Sequence, residues 1–155
     1  RRHREVQGER QVPEVELLPG VPAALKALRG RFRLAVASNA EESGAGLIRS
    51  ALDQAGIGHF FEAVFSSKEM AAAKPDPAFF RFVLEAMKED AAGAVAVGNE
   101  CAKDIAPAKA AGMRTILLDL DGRAGPCPEA DAVAHAWDEV PGLRARINAP
   151  HEDRP

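Results

Sequence analysis

Short apolar runs alternate with longer amphipathic segments along the chain from residue 17 onward. Continuous apolar runs of this kind, such as 34–37 and 94–97, are typical of strands that are covered on both faces of a parallel sheet. Segments whose apolar residues recur three or four positions apart are typical of helices that pack against such a sheet. The pattern therefore predicts an α/β fold, with a mostly parallel sheet and helices on both faces.

The predicted elements follow one another with short connections. We predict strands at 34–37, 63–65, 94–97 and 114–118, and a short edge strand at 132–134. We predict helices at about 22–29, 45–55, 79–87, 103–111 and 140–147. Gly30, Gly56 and Gly112 mark helix ends, and Pro75 and Pro77 close the loop 68–77 before the third helix.

The length of 155 residues, 46% of them hydrophobic, allows one domain with a substantial core. We expect that core to cover residues 17–147. Residues 1–16 are rich in charged side chains, and we interpret them as a lead-in or as the end of a cap or linker. We expect residues 148–155 to form a disordered tail.

Charge and cysteine content exclude several classes of protein. A net charge of −3 argues against a nucleic-acid partner, and no apolar run has the length of a membrane span. Cys101 and Cys127 form neither the dense framework of a small secreted domain nor a metal-binding pattern, which favours a reducing cytoplasm. We interpret Cys101 as a small residue at a helix start.

Polar residues follow the predicted strands where each strand ends. Ser38 and Asn39 end the first strand, and Gly98, Asn99 and Glu100 end the third. Ligands of open α/β sheets bind at the carboxyl ends of the strands, so these positions are candidates for a binding site.

Three sequence features stand in a characteristic order. They are the strand end 36–39 (Val-Ala-Ser-Asn), the loop 73–77 (Ala-Lys-Pro-Asp-Pro) and the strand end 97–100 (Val-Gly-Asn-Glu) followed by Asp104. Together they resemble the haloacid dehalogenase (HAD) family over about residues 17–145. The resemblance implies a Rossmann-like HAD core and hydrolase chemistry on a small phosphorylated substrate.

The resemblance also implies roles for individual residues. Ser38 and Lys74 are the candidate catalytic residues, and both would bind the substrate together with Asn39. A hydroxyl donates a hydrogen bond to a phosphoryl oxygen, and the lysine ammonium balances its negative charge. Asp104, Asn99 and Glu100 are the candidate ligands of Mg²⁺, which prefers oxygen donors. Asn99 departs from the family pattern, which has an aspartate at this position.

The first family motif, Asp-x-Asp-Gly-Thr with the nucleophilic aspartate, has no match before residue 17. In the family its strand lies between the strands predicted here at 34–37 and 94–97, so we expect a core that is incomplete at the N-terminus and a chain that is a fragment of a longer protein. The similar run 119–122 (Asp-Leu-Asp-Gly) follows a later strand, and we interpret it as a strand end and turn.

Three functions remain open at this point. The leading hypothesis is a Mg²⁺-dependent phosphatase whose nucleophile lies upstream of this chain, so that the chain alone is inactive. A haloacid dehalogenase is the alternative within the enzymes, and Asn99 favours it because that reaction needs no magnesium site. A non-catalytic HAD-like protein that binds a phosphate or a partner is the alternative outside them.

Overall fold

A computed structural model describes residues 17–39, 43–70 and 72–147. The strands are β1 (Ala35–Ser38), β2 (Ala63–Ser66), β3 (Val95–Gly98), β4 (Arg114–Leu118) and β5 (Ala132–Ala134). The helices are α1 (Val21–Arg29), α2 (Ala45–Gln54), α3 (Pro77–Met87), α4 (Ala106–Ala110) and α5 (Val140–Ile147). Single 3₁₀ turns lie at Gly58–Phe60, Ala91–Gly93 and Trp137–Glu139, and a π-helical turn at Cys101–Ile105 precedes α4.

The α/β fold class predicted from the sequence is confirmed, and each predicted element is present with small shifts at its ends. The largest difference concerns the predicted helix 103–111, which begins as the π-helical turn and becomes α-helical only at Ala106. The expectations for residues 1–16 and 148–155 lie outside the described residues. Among the described residues, none of the helices has the length and apolar content needed to cross a bilayer.

The strands form two parallel sheets. β1 pairs with β2 in a register that sets Ser38 opposite Ser66. β3 pairs with β4, and β4 pairs with β5, so that β4 is the central strand of the second sheet. Within the described residues, β1 and β3 are not hydrogen-bonded to each other. The predicted strand between β1 and β3 remains a prediction.

Helices pack on both faces of the second sheet. On one face, Ile116 and Leu118 of β4 contact Leu28 of α1 and Val140 of α5. On the other face, Ala94 and Ala96 lie against the cluster of α3 and α4, which contains Phe79, Phe80, Leu84, Ala108 and Met113. Side chains of a strand alternate between its two faces, and here both are apolar, which explains the unbroken apolar runs in the sequence.

A cavity of about 590 Å³ lies between β1 and β3. Residues 35–37 and 95–97 line it from the two strands, and side chains of α1, α3 and α5 cover its two faces. It also reaches Lys74 and Asp104. The cavity therefore separates the two sheets along the whole length of their facing strands.

Arg33 connects the amino end of the first sheet to the end of α3. Its guanidinium donates to Glu62, which precedes β2, at 2.9 and 2.7 Å. It also donates to the Met87 carbonyl at 2.8 Å, at the end of α3, and to the Glu89 carboxylate at 2.7 Å. Hydrogen bonding to Arg33 lowers the pKa of the Glu62 carboxyl, and the same contacts raise the pKa of Arg33.

Arg144 of α5 lines the same cavity and is 9% exposed. Its guanidinium lies 4.0 Å from the centre of the Phe32 ring and donates to the Gly93 carbonyl at 3.3 Å. Within the described residues, its Nη1 is buried without a hydrogen-bond partner. Burial, together with the charge of nearby Arg114, lowers the pKa of this guanidinium. The side chain thus places an unsatisfied donor beside the cavity.

Candidate active site

The loop that carries Lys74 is held in place by Asn39, the residue after β1. The Asn39 amide donates to the Lys74 carbonyl at 2.8 Å, and its oxygen accepts from the Lys74 N–H at 3.0 Å. Downstream, Asp76 caps α3 by accepting from the Ala78 N–H at 2.9 Å. Asn39 was predicted to bind substrate, but its described contacts position Lys74 instead, and its role in substrate binding stays a prediction.

Lys74 and Asp104 form an ion pair at the carboxyl ends of β1 and β3. Lys74 Nζ lies 2.7 Å from Asp104 Oδ1, and the two side chains are only 13% and 15% exposed. The ammonium also lies 3.4 Å from the Ala37 carbonyl and 6.0 Å from the centre of the Phe79 ring. An ion pair so little exposed is screened weakly by salt, so it can act strongly on a charged ligand beside it.

Asp104 is fixed by the turn on which it lies. The Glu100 N–H donates to Asp104 Oδ2 at 3.2 Å, and the Asp104 N–H donates to the Glu100 carbonyl at 2.8 Å. Gly98, the last residue of β3, leaves the room for this side chain, since a Cβ added there would lie 2.4 Å from Asp104 Cβ. Single π-helical turns within α-helices are frequent at functional sites.

The other predicted site residues lie around this pair. Ser38 is the last residue of β1, and its carbonyl accepts from the Ser67 N–H at 2.9 Å. Asn99 and Glu100 follow β3 and are exposed. Asp104 supplies the carboxylate that pairs with Lys74, Glu100 is a second and exposed carboxylate, and Asn99 offers an exposed amide oxygen.

These donors fit a partial Mg²⁺ site. Mg²⁺ is typically held by one or two carboxylates together with water and substrate oxygens. Asp104 and Asn99 would supply a carboxylate and an amide oxygen, and Glu100 a further carboxylate if its side chain turned inward. Such a set is short of negative charge, which is the consequence of Asn99 standing where the family has an aspartate.

The run 119–122 forms a turn after β4, as predicted from the sequence. Asp119 Oδ1 accepts from the Ala124 N–H, and Asp121 Oδ1 accepts from the Arg123 N–H, both at 3.0 Å. Both carboxylates therefore cap backbone groups of their own loop.

Cys101 and Cys127 form a disulfide bond across 26 residues of sequence. The interpretation of Cys101 as no more than a small residue at a helix start was therefore incomplete. No spacing rule pairs two cysteines so far apart, because their proximity depends on how the loop after β4 returns to the sheet. Gly98 was noted only as part of a motif, and its contact with Asp104 is visible only in three dimensions.

Comparison with known proteins gives the family. The haloacid dehalogenase-like hydrolase family matches residues 3–112. The phosphoglycolate phosphatase of Rhodospirillum rubrum is 33% identical over 126 residues, which are 81% of this chain and 50% of the relative. The pyrimidine 5'-nucleotidase YjjG of Escherichia coli is 28% identical over 121 residues, 77% of this chain and 51% of the relative. The chain thus spans about half the length of these curated relatives.

Solved structures share the fold. The 2-haloacid dehalogenase from Pseudomonas syringae superposes with a TM-score of 0.74 at 31% identity, covering 85% of this chain and 54% of that chain. An uncharacterized protein from Listeria monocytogenes superposes with a TM-score of 0.75 at 28% identity, covering 87% of this chain and 83% of that chain.

Proposed function

Because the chain belongs to the haloacid dehalogenase-like hydrolase family, we propose that the intact protein hydrolyses a small phosphate ester with the help of Mg²⁺. The observation that carries this proposal is the Lys74–Asp104 pair at the carboxyl end of the cavity between β1 and β3. Relatives that are phosphatases, including those acting on phosphoserine and phosphoglycolate, support the substrate class.

Each residue has a defined task in this reaction. The Lys74 ammonium balances the charge of the phosphoryl group, and the Ser38 hydroxyl donates a hydrogen bond to one of its oxygens. Asn39 keeps the Lys74 loop in register with the end of β1. Asp104 and Asn99 would hold Mg²⁺, which would neutralise further charge on the phosphate.

Among the described residues that line the cavity the one aspartate is Asp104, which pairs with Lys74, so the nucleophile would be a further aspartate. We place it on a strand that occupies the cavity and pairs with the edges of β1 and β3 that face it. The cavity ends beside Lys74 and Asp104, so the carboxyl end of such a strand would meet both side chains. The carboxylate would attack phosphorus and release the alcohol, and water would then free the phosphate and regenerate the carboxylate.

The first test is the intact mass of the natural protein, compared with 16.5 kDa for this chain. We expect a heavier product that hydrolyses p-nitrophenyl phosphate only when Mg²⁺ is present. A product of 16.5 kDa without activity would contradict the enzyme and favour the non-catalytic binding protein.

Two substitutions test the role of Lys74 in the reaction. In an active natural protein, Lys74→Met is expected to lower kcat/KM by about 10²-fold or more, because a charge aimed at the phosphoryl group is lost. Lys103→Met is the matched control, since Lys103 is exposed on the same turn as Asp104. The kcat/KM of this variant is expected to equal that of the parent protein. Equal effects of the two substitutions would contradict the role of Lys74.

Asn99→Asp examines the metal. A second carboxylate beside Asp104 is expected to lower the Mg²⁺ concentration that gives half-maximal activity, because Mg²⁺ binding by these residues is limited by negative charge. Asp104→Asn is expected to raise the same concentration. If both variants keep the Mg²⁺ dependence of the parent protein, neither residue ligates the metal.

A haloacid dehalogenase is the second candidate function. Two observations favour it, namely the uncharged Asn99 and the similarity to the dehalogenase structure from Pseudomonas syringae. In that reaction the aspartate would attack carbon and release halide. Release of chloride from 2-chloropropionate in the presence of EDTA, without phosphatase activity, would establish this alternative over the phosphatase.

A further inference from the structure

The Cys101–Cys127 disulfide joins the candidate site to the loop between β4 and β5. Cys101 is the first residue of the π-helical turn that carries Asp104. Cys127 lies in the loop, whose residues 121–126 are exposed. The bond therefore links a turn that holds a proposed ligand of the metal to a segment that solvent reaches.

The loop is anchored on the sheet independently of the disulfide. The Thr115 hydroxyl donates to the Glu129 carbonyl at 2.8 Å, and the Thr115 N–H donates to the Asp131 carboxylate at 2.8 Å. Lys109 of α4 also pairs with Asp131 at 2.7 Å. Cys127 lies two residues before Glu129, so the disulfide attaches Cys101 to a part of the loop that is held on the sheet.

The two ends of the turn on the other side of the bond are held differently. Its carboxyl end is fixed by Ile105, which is fully buried, and by Asp104, which pairs with Lys74. At its amino end Ala102 and Lys103 are exposed, and Cys101 is joined to the loop by the disulfide. Single π-helical turns are rare, and most occur as bulges inside α-helices. The disulfide therefore holds the amino end of the turn, three residues before Asp104.

Both sulfurs lie beside a negative charge. Glu129 Oε1 is 3.6 Å from Cys101 Sγ and 3.9 Å from Cys127 Sγ. A disulfide has no proton to donate, whereas each thiol formed on reduction could donate a weak S–H hydrogen bond to this carboxylate. Reduction therefore replaces the covalent link with contacts that are weak and can exchange with water.

We propose that Cys101–Cys127 is a site of reversible thiol–disulfide exchange that controls the order of the turn bearing Asp104. A dithiol reductant attacks one sulfur through its thiolate and forms a mixed disulfide while the other cysteine leaves. The second thiol of the reductant then displaces the first cysteine, so the protein gains two protons and two electrons as two thiols, and the reductant becomes a disulfide. A weaker hold on Mg²⁺ in the reduced form would follow only if the proposed function is correct, whereas the exchange site does not depend on it.

The test uses the natural protein with dithiothreitol as the reductant, and labelling is located by mass spectrometry. In the untreated protein N-ethylmaleimide is expected to label neither Cys101 nor Cys127, and after dithiothreitol it is expected to label both. Hydrogen exchange of the amides at 101–106 is expected to become about tenfold faster on reduction and to return on reoxidation, since local opening sets these rates. The amides of β4 serve as the internal control and should not change.

A variant with Cys101→Ser and Cys127→Ser is expected to exchange fast at 101–106 with and without dithiothreitol. Exchange at 101–106 that is equal in the oxidised and reduced chain would overturn the proposal, as would thiols that stay free under oxidised glutathione. Because neither readout involves phosphate or Mg²⁺, these results are separate from the outcome of the phosphatase assays.

Discussion

Gly98→Ala is the substitution whose effect on the site can be worked out most directly. A Cβ at this position would lie 2.4 Å from Asp104 Cβ and 2.7 Å from its Oδ2. Ordinary carbon contacts are about 3.5 Å or longer, so Asp104 and its turn would have to move by about 1 Å. The closest of these atoms, Asp104 Cβ, is the base of the side chain and cannot rotate away.

The cost follows from this geometry. Overpacking of a closely packed position destabilises a protein by about 1–3 kcal/mol. For a chain of this size that corresponds to a decrease of the melting temperature by about 2–10 °C. The same movement would take the Asp104 carboxylate away from Lys74 Nζ, 2.7 Å distant, and from the Glu100 N–H. We therefore expect a loss of stability together with a loss of Mg²⁺ binding.

The assay is urea denaturation of the natural protein followed by circular dichroism, with Mg²⁺ titrated in parallel. Gly46→Ala is the matched control, because a Cβ added at this exposed position of α2 meets no atom within 4 Å. Alanine there is expected to stabilise the helix by about 0.5–1 kcal/mol. If Gly98→Ala is as stable as the parent chain, the close contact with Asp104 does not constrain the site as described.

Three further predictions concern the surroundings of the site. Replacing Cys101 and Cys127 by serine is expected to lower the free energy of unfolding by about 3 kcal/mol in denaturant titrations, because the unfolded chain loses its cross-link. Asn39→Ala removes two hydrogen bonds to the Lys74 backbone and is expected to cost about 1–3 kcal/mol, with faster amide exchange at 73–76 as its local signature. Partial burial raises the pKa of Asp131, but hydrogen bonds from lysine and threonine outweigh it and lower the pKa overall. A carboxyl whose pKa is lowered on folding stabilises the fold at pH values above its unfolded pKa of about 4. Asp131→Asn is therefore expected to lower the free energy of unfolding at neutral pH. The difference between variant and parent is expected to vanish as the pH falls through the folded pKa of Asp131.

Much of the fold could be predicted because the spacing of apolar residues along the chain indicates which faces of each element are buried. The apolar runs at 34–37 and 94–97 correspond to β1 and β3, each shifted by one residue, and the helices between them show apolar residues at helical spacing. The π-helical turn at Cys101–Ile105 could not be predicted, since one extra residue in a turn hardly changes that spacing.

The candidate site was predictable to the extent that topology determines it. Parallel strands bring their carboxyl ends to one edge, and there Lys74, in the loop after β2, meets Asp104, in the turn after β3. The two hydrogen bonds that Asn39 makes to Lys74 depend on the path of a loop, and the disulfide depends on the return of another. Neither loop has a periodic or compositional signal in the sequence from which its path could be predicted.

The contacts of Arg33 and Asn39 have a consequence for how this chain tolerates insertions and deletions. Arg33 connects β1 to the end of α3 and to the residue before β2, and Asn39 connects the other end of β1 to the Lys74 loop. Residues 33–39 therefore carry contacts at both ends of β1, and a change in their number would displace one contact or the other. Insertional scanning is expected to find this segment intolerant, whereas the exposed residues 121–126 accept added length.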